Sequence, residues 1–303
     1  MTAHVAEATE DRGRVILRCT SWSPNEVAIK AALVVAGAFN SEVELLFVED
    51  DQRLNFASFP FAKEISLRNG KSRRVSQDAV RAEVRGSFQV ARQHVADMSS
   101  SLEINVYEHV VRDDPVQALV SACARRGPWN VIAIAETFGT PAPFSLVDVF
   151  DAVSDATGVL VVGPEARQSA ATTALRSANA KRDAVKGPVV IAVEDGEHLQ
   201  GMLRAGHVIA AALATEVVIL LVSETDAELV QLDAEVRLVL ADQDNVRLAK
   251  SVATHQSRMA VAEAIRRLQS SFVIAQFGAA AAPRHQSLRP LTSTLQCPLL
   301  LVR

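Results

Sequence analysis

The chain has 303 residues, 49% of them hydrophobic and 22% charged, with a formal net charge of −4 and a pI near 6.0. That length suits two cores of about 150 residues better than one, and the composition excludes a disordered polymer. The acidic balance gives no global attraction to nucleic acid or to an anionic membrane, so neither is expected as a partner.

Cys19, Cys123 and Cys297 are scattered, odd in number and without CxxC or Cys/His spacing. They are expected as reduced thiols of a cytoplasmic protein. Residues 1–13 form a polar tail with no apolar h-region. No apolar run approaches the roughly 20 residues of a membrane span; the longest, Val208–Leu213, falls inside a helical pattern.

In chain order, Val15–Cys19 is short and β-branched, as buried strands are. Ser23 is a good N-cap ahead of Pro24, and Pro24–Phe39 carries Val27, Ala31, Val34, Val35 and Ala38 at helical spacing. Val43–Val48 is the next strand. Residues 53–72 read as an irregular excursion bearing Phe56, Phe59 and Phe61 and leading into the basic cluster Lys71, Arg73 and Arg74. A long helix over Ser76–Met98 and a strand over Ile104–Val111 follow. Asp114 caps a helix from Pro115 to about Arg125, and Asn130–Ala135, Phe144–Asp155 and Val159–Val162 read as strand, helix and strand. Glu165–Lys186, rich in Ala, Ser, Thr and basic residues, reads as a linker. After it come a strand at Val189–Val193, a helix at Ala227–Ala241, a strand at Val246–Val252, a helix at Ser257–Leu268 and a strand at Phe272–Gln276. A helix at Leu288–Leu295 and a strand at Leu299–Val302 complete the series. Nearly continuous apolar strands alternating with helices predict parallel sheets covered on both faces.

The two ends of that series repeat. Val15–Val48 aligns without a gap on Val189–Val222 at an offset of 174, with Val15, Ala31, Val34, Ala36, Ala38, Glu42, Val43, Leu46 and Val48 meeting identical residues. The triplet Val131-Ile132-Ala133 recurs as Val273-Ile274-Ala275, which moves the offset to 142 by the fourth strand. The expected division is a tail (1–13), a first unit (14–164), a linker (165–186) and a second unit (187–303).

A five-stranded β-α-β-α-β-α-β-α-β unit occurring twice, with an Ala-rich first helix, a strand ending Phe47-Val48 and closing strands Gly158–Val162 and Cys297–Val302, resembles the tandem form of the universal stress protein family. The resemblance spans about Arg14 to Arg303. It implies two doubly wound α/β sheets of strand order 3-2-1-4-5, pairing of the two units with each other through their last strands, and a possible homodimer beyond that.

In ATP-binding members of that family an Asp ends the first strand, and a spaced glycine segment closing on Gly-Ser/Thr wraps the phosphates after the fourth. Glycines let the backbone approach, and helix N-termini favour anions. The first unit departs from this pattern. Its first strand ends Arg18-Cys19-Thr20-Ser21, and Glu136–Pro143 keeps one glycine, adds two prolines and a carboxylate, and is followed by Val147-Asp148. In the second unit Asp195-Gly196 resembles the family's Asp-Gly turn, with a plain strand-to-helix turn as the other reading. The segment from Gly278 to His285 has lost its spaced glycines, while Arg284, His285 and Arg289 offer positive charge. Asp195, Gly196, Val222, Gly278 and Arg284 are therefore the nucleotide-site candidates.

There is no GxGxxG after a strand, no GxxxxGK[ST], no GxSxG and no HxxxH or HExxH pair. No catalytic residue, metal or cofactor is expected, with ATP or AMP the one nucleotide class the resemblance admits and a weak ATPase the most it would support. Lys71, Arg73 and Arg74 read as the solvated start of the long helix or as an anion or partner site. Phe56, Phe59 and Phe61 either cover the unit's own core or form a surface for a small apolar ligand or a partner. The function expected is a non-catalytic stress-response regulator; the alternative is a nucleotide sensor with one site in the second unit.

Overall fold

The computed structural model describes residues 13–19, 26–49, 51–66, 70–100, 102, 104–125, 129–135, 146–154, 156–163, 187–241, 246–252, 258–279, 282 and 289–303. Their elements are β1 (Arg14–Cys19), α1 (Glu26–Ala38), β2 (Glu42–Glu49), α2 (Asp51–Ser58), β3 (Lys63–Ile65), β4 (Ser72–Arg74), α3 (Gln77–Ser99), β5 (Val106–Arg112), α4 (Pro115–Ala124), β6 (Asn130–Ala135), α5 (Leu146–Ala152) and β7 (Ala156–Val162). They continue with β8 (Val189–Val193), α6 (Leu199–Leu213), β9 (Val217–Ser223), α7 (Asp226–Val239), β10 (Val246–Val252), α8 (Arg258–Arg267), β11 (Phe272–Gln276), α9 (Arg289–Leu295) and β12 (Leu299–Val302).

Ten strands make one sheet in the order β10-β9-β8-β11-β12-β7-β6-β1-β2-β5. Each five-strand set is parallel and runs 3-2-1-4-5 in its own chain order. Side chains alternate across a strand, so each strand feeds two cores. Val15, Leu17, Val43, Leu45, Val189 and Ile191 pack under α1, α3, α6 and α7. Ile16, Leu46, Ile132, Val190, Val218 and Val273 pack under α4, α5, α8 and α9. Equivalent helices of the two sets thus share a face of the sheet, and α1 packs against α6.

The sets meet at β7 and β12, which pair antiparallel with Leu160 opposite Leu300 and Gly158 opposite Val302. Gly158 is needed there for close approach: a Cβ on it would lie 2.7 Å from the carbonyl oxygen of Leu301. Phe150 of α5 stacks on Phe277, just past β11, with centroids 3.8 Å apart and planes 5° apart. The guanidinium of Arg303 lies 5.9 Å above the Phe150 ring and donates to the carbonyls of Phe150 and, at 3.1 Å, Ser154. A cation from one strand set therefore closes the C-terminal turn of a helix in the other, where the helix dipole favours positive charge.

At the amino edge of the first set, Arg14 is buried beside Glu44, with Nη1 2.5 Å from Oε2. Its Nη2 donates to the Ala122 carbonyl in the last turn of α4 at 2.7 Å, alongside the Arg125 N–H at 3.4 Å. Asp114 caps the start of α4, its Oδ1 accepting from Val116 N at 2.9 Å and Gln117 N at 3.2 Å.

Four expectations change. First, the described residues of the 53–72 segment are not an irregular excursion. They fold as α2 followed by the antiparallel pair β3–β4, anchored by buried Leu54, Ala57 and Ala62 and by Gln77 Nε2 donating to the Leu54 carbonyl at 3.1 Å. Strands of three residues are too short to leave a period in the sequence. Second, Arg73 and Arg74 belong to β4 and not to the start of the long helix, which Ser76 caps. Third, the helical stretch described as α5 ends at Ala152, before the expected Asp155, while the expected start at Phe144 lies outside the described residues.

The fourth is a register. Val15 faces Val131, whereas Val189 faces Phe272, so the counterpart of Val131 is Phe272 and not Val273. Val131 and Phe272 share one core, while Ile132 and Val273 share the other. A one-residue slip exchanges the faces of a strand, and the matching Val-Ile-Ala triplet concealed it. The Ser23-Pro24 start, the Glu136–Pro143 segment and the linker at 165–186 lie outside the described residues.

Candidate functional site

In a doubly wound sheet a ligand sits beyond the carboxyl ends of the strands. For the second set these ends are Val193, Ser223 and Gln276, brought to one edge by the parallel pairing of β8 with β9 and β11. Asp195, Gly196 and Gly278 all follow these ends directly, so the topology gathers them on one rim. Arg284 and His285 lie outside the described residues, and of Arg289 only the backbone, at the start of α9, is described.

Asp195 is half-exposed, and its Oδ1 accepts from Glu197 N at 3.0 Å, closing an Asx turn into α6. His198 Nδ1 lies 3.7 Å from the same oxygen. A Cβ on Gly196 would meet only the Glu235 carboxylate, at 3.5 Å, so no backbone contact demands glycine there. Val222 is buried in the core under α8 and α9. Gly278 has φ +99, a conformation that favours glycine. Its N–H donates to the Ala282 carbonyl at 2.8 Å, and Ala282 N to Ala279 at 2.9 Å, which closes a tight turn on itself.

Among the described residues the remaining charged groups on this rim are mostly anionic. Glu194 and Glu197 flank Asp195, and Glu224, Asp226 and Glu228 follow β9. Thr225 caps α7 by accepting from Glu228 N at 3.2 Å, and Glu228 Oε2 accepts from Ser223 Oγ at 2.9 Å. The polar atoms after β9 thus serve the helix they precede. Six carboxylates, on the turn after β8 and from Glu224 into the first turn of α7, repel a triphosphate. Among the described residues no group of three metal-ligating side chains converges. Phe150 and Arg303, which reach this rim beside Phe277, were not legible as site neighbours, since their contacts depend on how the two strand sets meet.

The three phenylalanines lie at the carboxyl edge of the other set, after β2. Phe56, Phe59 and Phe61 are all exposed, and the rings of Phe59 and Phe61 stack 5.2 Å apart at 10°. They do not cover a core.

No family model matches the chain, and no curated protein matches it. Solved structures do. A universal stress protein from Archaeoglobus fulgidus DSM 4304 superposes with a TM-score of 0.55 at 14% identity, covering 96% of this chain and 98% of that one. A functionally unknown protein from Pseudomonas aeruginosa PAO1 gives 0.55 at 13% identity over 97% and 93%. The cytoplasmic domain of a prokaryotic cation chloride cotransporter gives 0.51 at 9% over 96% and 95%. Identities this low speak to architecture alone, and the architecture of this chain is that of the universal stress proteins.

Proposed function

We propose that this chain is a non-catalytic regulator of the universal stress type, built from two copies of one unit (14–164 and 187–303) that pair through their last strands and act through their surfaces. It works in the cytoplasm, in the response to stress, and does not hold ATP through a glycine phosphate loop. The observation that carries this reading is the second set's rim, where Asp195 is engaged in its own turn and the flanking loops are carboxylate-rich. The test is the melting temperature with and without magnesium-ATP. A ligand at 100 times its Kd adds about 2.7 kcal/mol, a shift of several degrees, and none is expected here.

The second reading is a nucleotide sensor with one site in the second unit. It is favoured by the position of Asp195 on the rim where such sheets take their ligands. A melting shift with ATP that disappears in Asp195→Ala would establish it and overturn the first.

A further inference from the structure

The β3–β4 hairpin and its approach bring two properties together. The first is apolar exposure: Phe56, Phe59, Phe61 and Ile65 are 51%, 47%, 69% and 64% exposed. Single exposed apolar residues are ordinary, but four within ten residues, two of them stacked on each other, call for an occupant. The second is positive charge. Residues 60–75 hold Lys63, Arg68, Lys71, Arg73 and Arg74 against Glu64 alone, a formal +4 within a chain of −4. The net charge of the whole chain conceals this segregation.

The hairpin also places its charges unfavourably for itself. Arg73 pairs with Glu64 across the strands at 2.5 Å. Lys63, however, stands directly opposite Arg74, and no ion pair among the described residues takes up either. Like charges facing each other across a strand pair are destabilising, and an external anion between them removes that repulsion. Ile65 lies on the same face of the hairpin as this pair, since side chains two apart on a strand share a face.

We propose that this hairpin docks on an anionic phospholipid surface, with Phe56, Phe59, Phe61 and Ile65 entering the headgroup–acyl boundary and Lys63 and Arg74 engaging lipid phosphates. Half-buried aromatic rings flanked by lysine and arginine suit that boundary, where apolar faces leave water and cations remain at the headgroups. A bilayer is favoured over a protein partner because the apolar side chains come from a helix, a turn and a strand, with Phe59 and Phe61 stacked on each other. A fluid surface accepts such spacing without a matched pocket. This contact is peripheral; no helix among the described residues is long and apolar enough to cross a membrane. It does not depend on the nucleotide question, and the result of the ATP experiment leaves it unaffected.

The test is cosedimentation of the full chain with vesicles of phosphatidylcholine alone and of equal parts phosphatidylcholine and phosphatidylglycerol. The chain should bind the anionic vesicles, release in high salt and ignore the neutral ones. Lys63→Glu with Arg74→Glu should lower partitioning by more than about tenfold. A second variant, Phe56→Ser with Phe59→Ser and Phe61→Ser, should lower it by about tenfold or more. Circular dichroism melts confirm that both variants fold. No binding to anionic vesicles, equal binding to neutral ones, or undiminished binding by either folded variant would overturn the proposal. So would the same residues mediating self-association in sedimentation equilibrium, or binding of a short RNA in place of vesicles.

Discussion

The buried pair at the amino edge offers the sharpest test of how this fold is held. Arg14→Met removes the guanidinium that lies 2.5 Å from Glu44 and donates to the Ala122 carbonyl at 2.7 Å. Among the described residues Glu44 then keeps only Arg125, whose Nη2 is 3.8 Å from Oε1 and whose side chain is far more exposed. A buried carboxylate is then nearly uncompensated, and breaking such a pair costs about 3–5 kcal/mol. Removing both charges, as Arg14→Met with Glu44→Leu, leaves no orphan ion and should recover most of that loss, because apolar replacements of a buried pair are often neutral or better. Urea unfolding of wild type, both single variants and the double variant closes the cycle. The reasoning fails if Arg14→Met costs less than about 1 kcal/mol, or if the double variant is no more stable than the single.

Two further outcomes follow from the seam and from a buried thiol. Gly158→Ala puts a methyl group 2.7 Å from the Leu301 carbonyl, so the two strands must part; a loss of about 1–3 kcal/mol and faster amide exchange over Leu299–Val302 are expected, and a variant that melts and exchanges like wild type would show the contact to be slack. Burial pushes the Cys297 thiol up to about 12, against a smaller opposing effect of its hydrogen bond with Ser270. Alkylation mapped by mass spectrometry should therefore leave Cys297 unmodified in the native chain at mildly alkaline pH. Because the folded value is raised, this group's contribution to stability is complete below the ordinary thiol range and is lost as pH rises from there toward about 12. Ready labelling of native Cys297 would refute this.

The inner part of the sheet was legible because its strands are buried on both faces, so Val15–Cys19, Val189–Val193 and Phe272–Gln276 stand out as apolar runs whatever the neighbours are. A cap carried one helix start in the same way: Asp114 states where α4 begins. What failed was structure whose signal is shorter than a period. β3 and β4 have three residues each and no apolar alternation to read. The Val131 register failed because identical triplets outweighed the face that Phe272 occupies in the core. At the candidate site, the position of Asp195 on the rim was legible from the alignment and a plain turn was one of its two readings, but the sequence did not choose between them, because an Asx turn and a ligand contact use the same residue types. The approach of Phe150 and Arg303 was beyond reach for a different reason. It depends on two strand sets meeting in space, and nothing local in either segment encodes that.

The antiparallel meeting of β7 with β12 has a consequence for how this sequence can vary. When two identical chains pair about a twofold axis, every residue at the contact appears twice, and a change must suit both appearances. Within one chain that restriction is lifted. Arg303 closes the last turn of α5, whereas the corresponding position after β7 is Gly163, which lies close against the Thr292 carbonyl. The two ends of the seam have thus diverged into different contacts, each suited to one side only. Joining both strand sets covalently also makes the contact intramolecular, so it forms at an effective concentration set by the chain and not by the abundance of the protein. The seam therefore persists on dilution, and each set is free to change on its own.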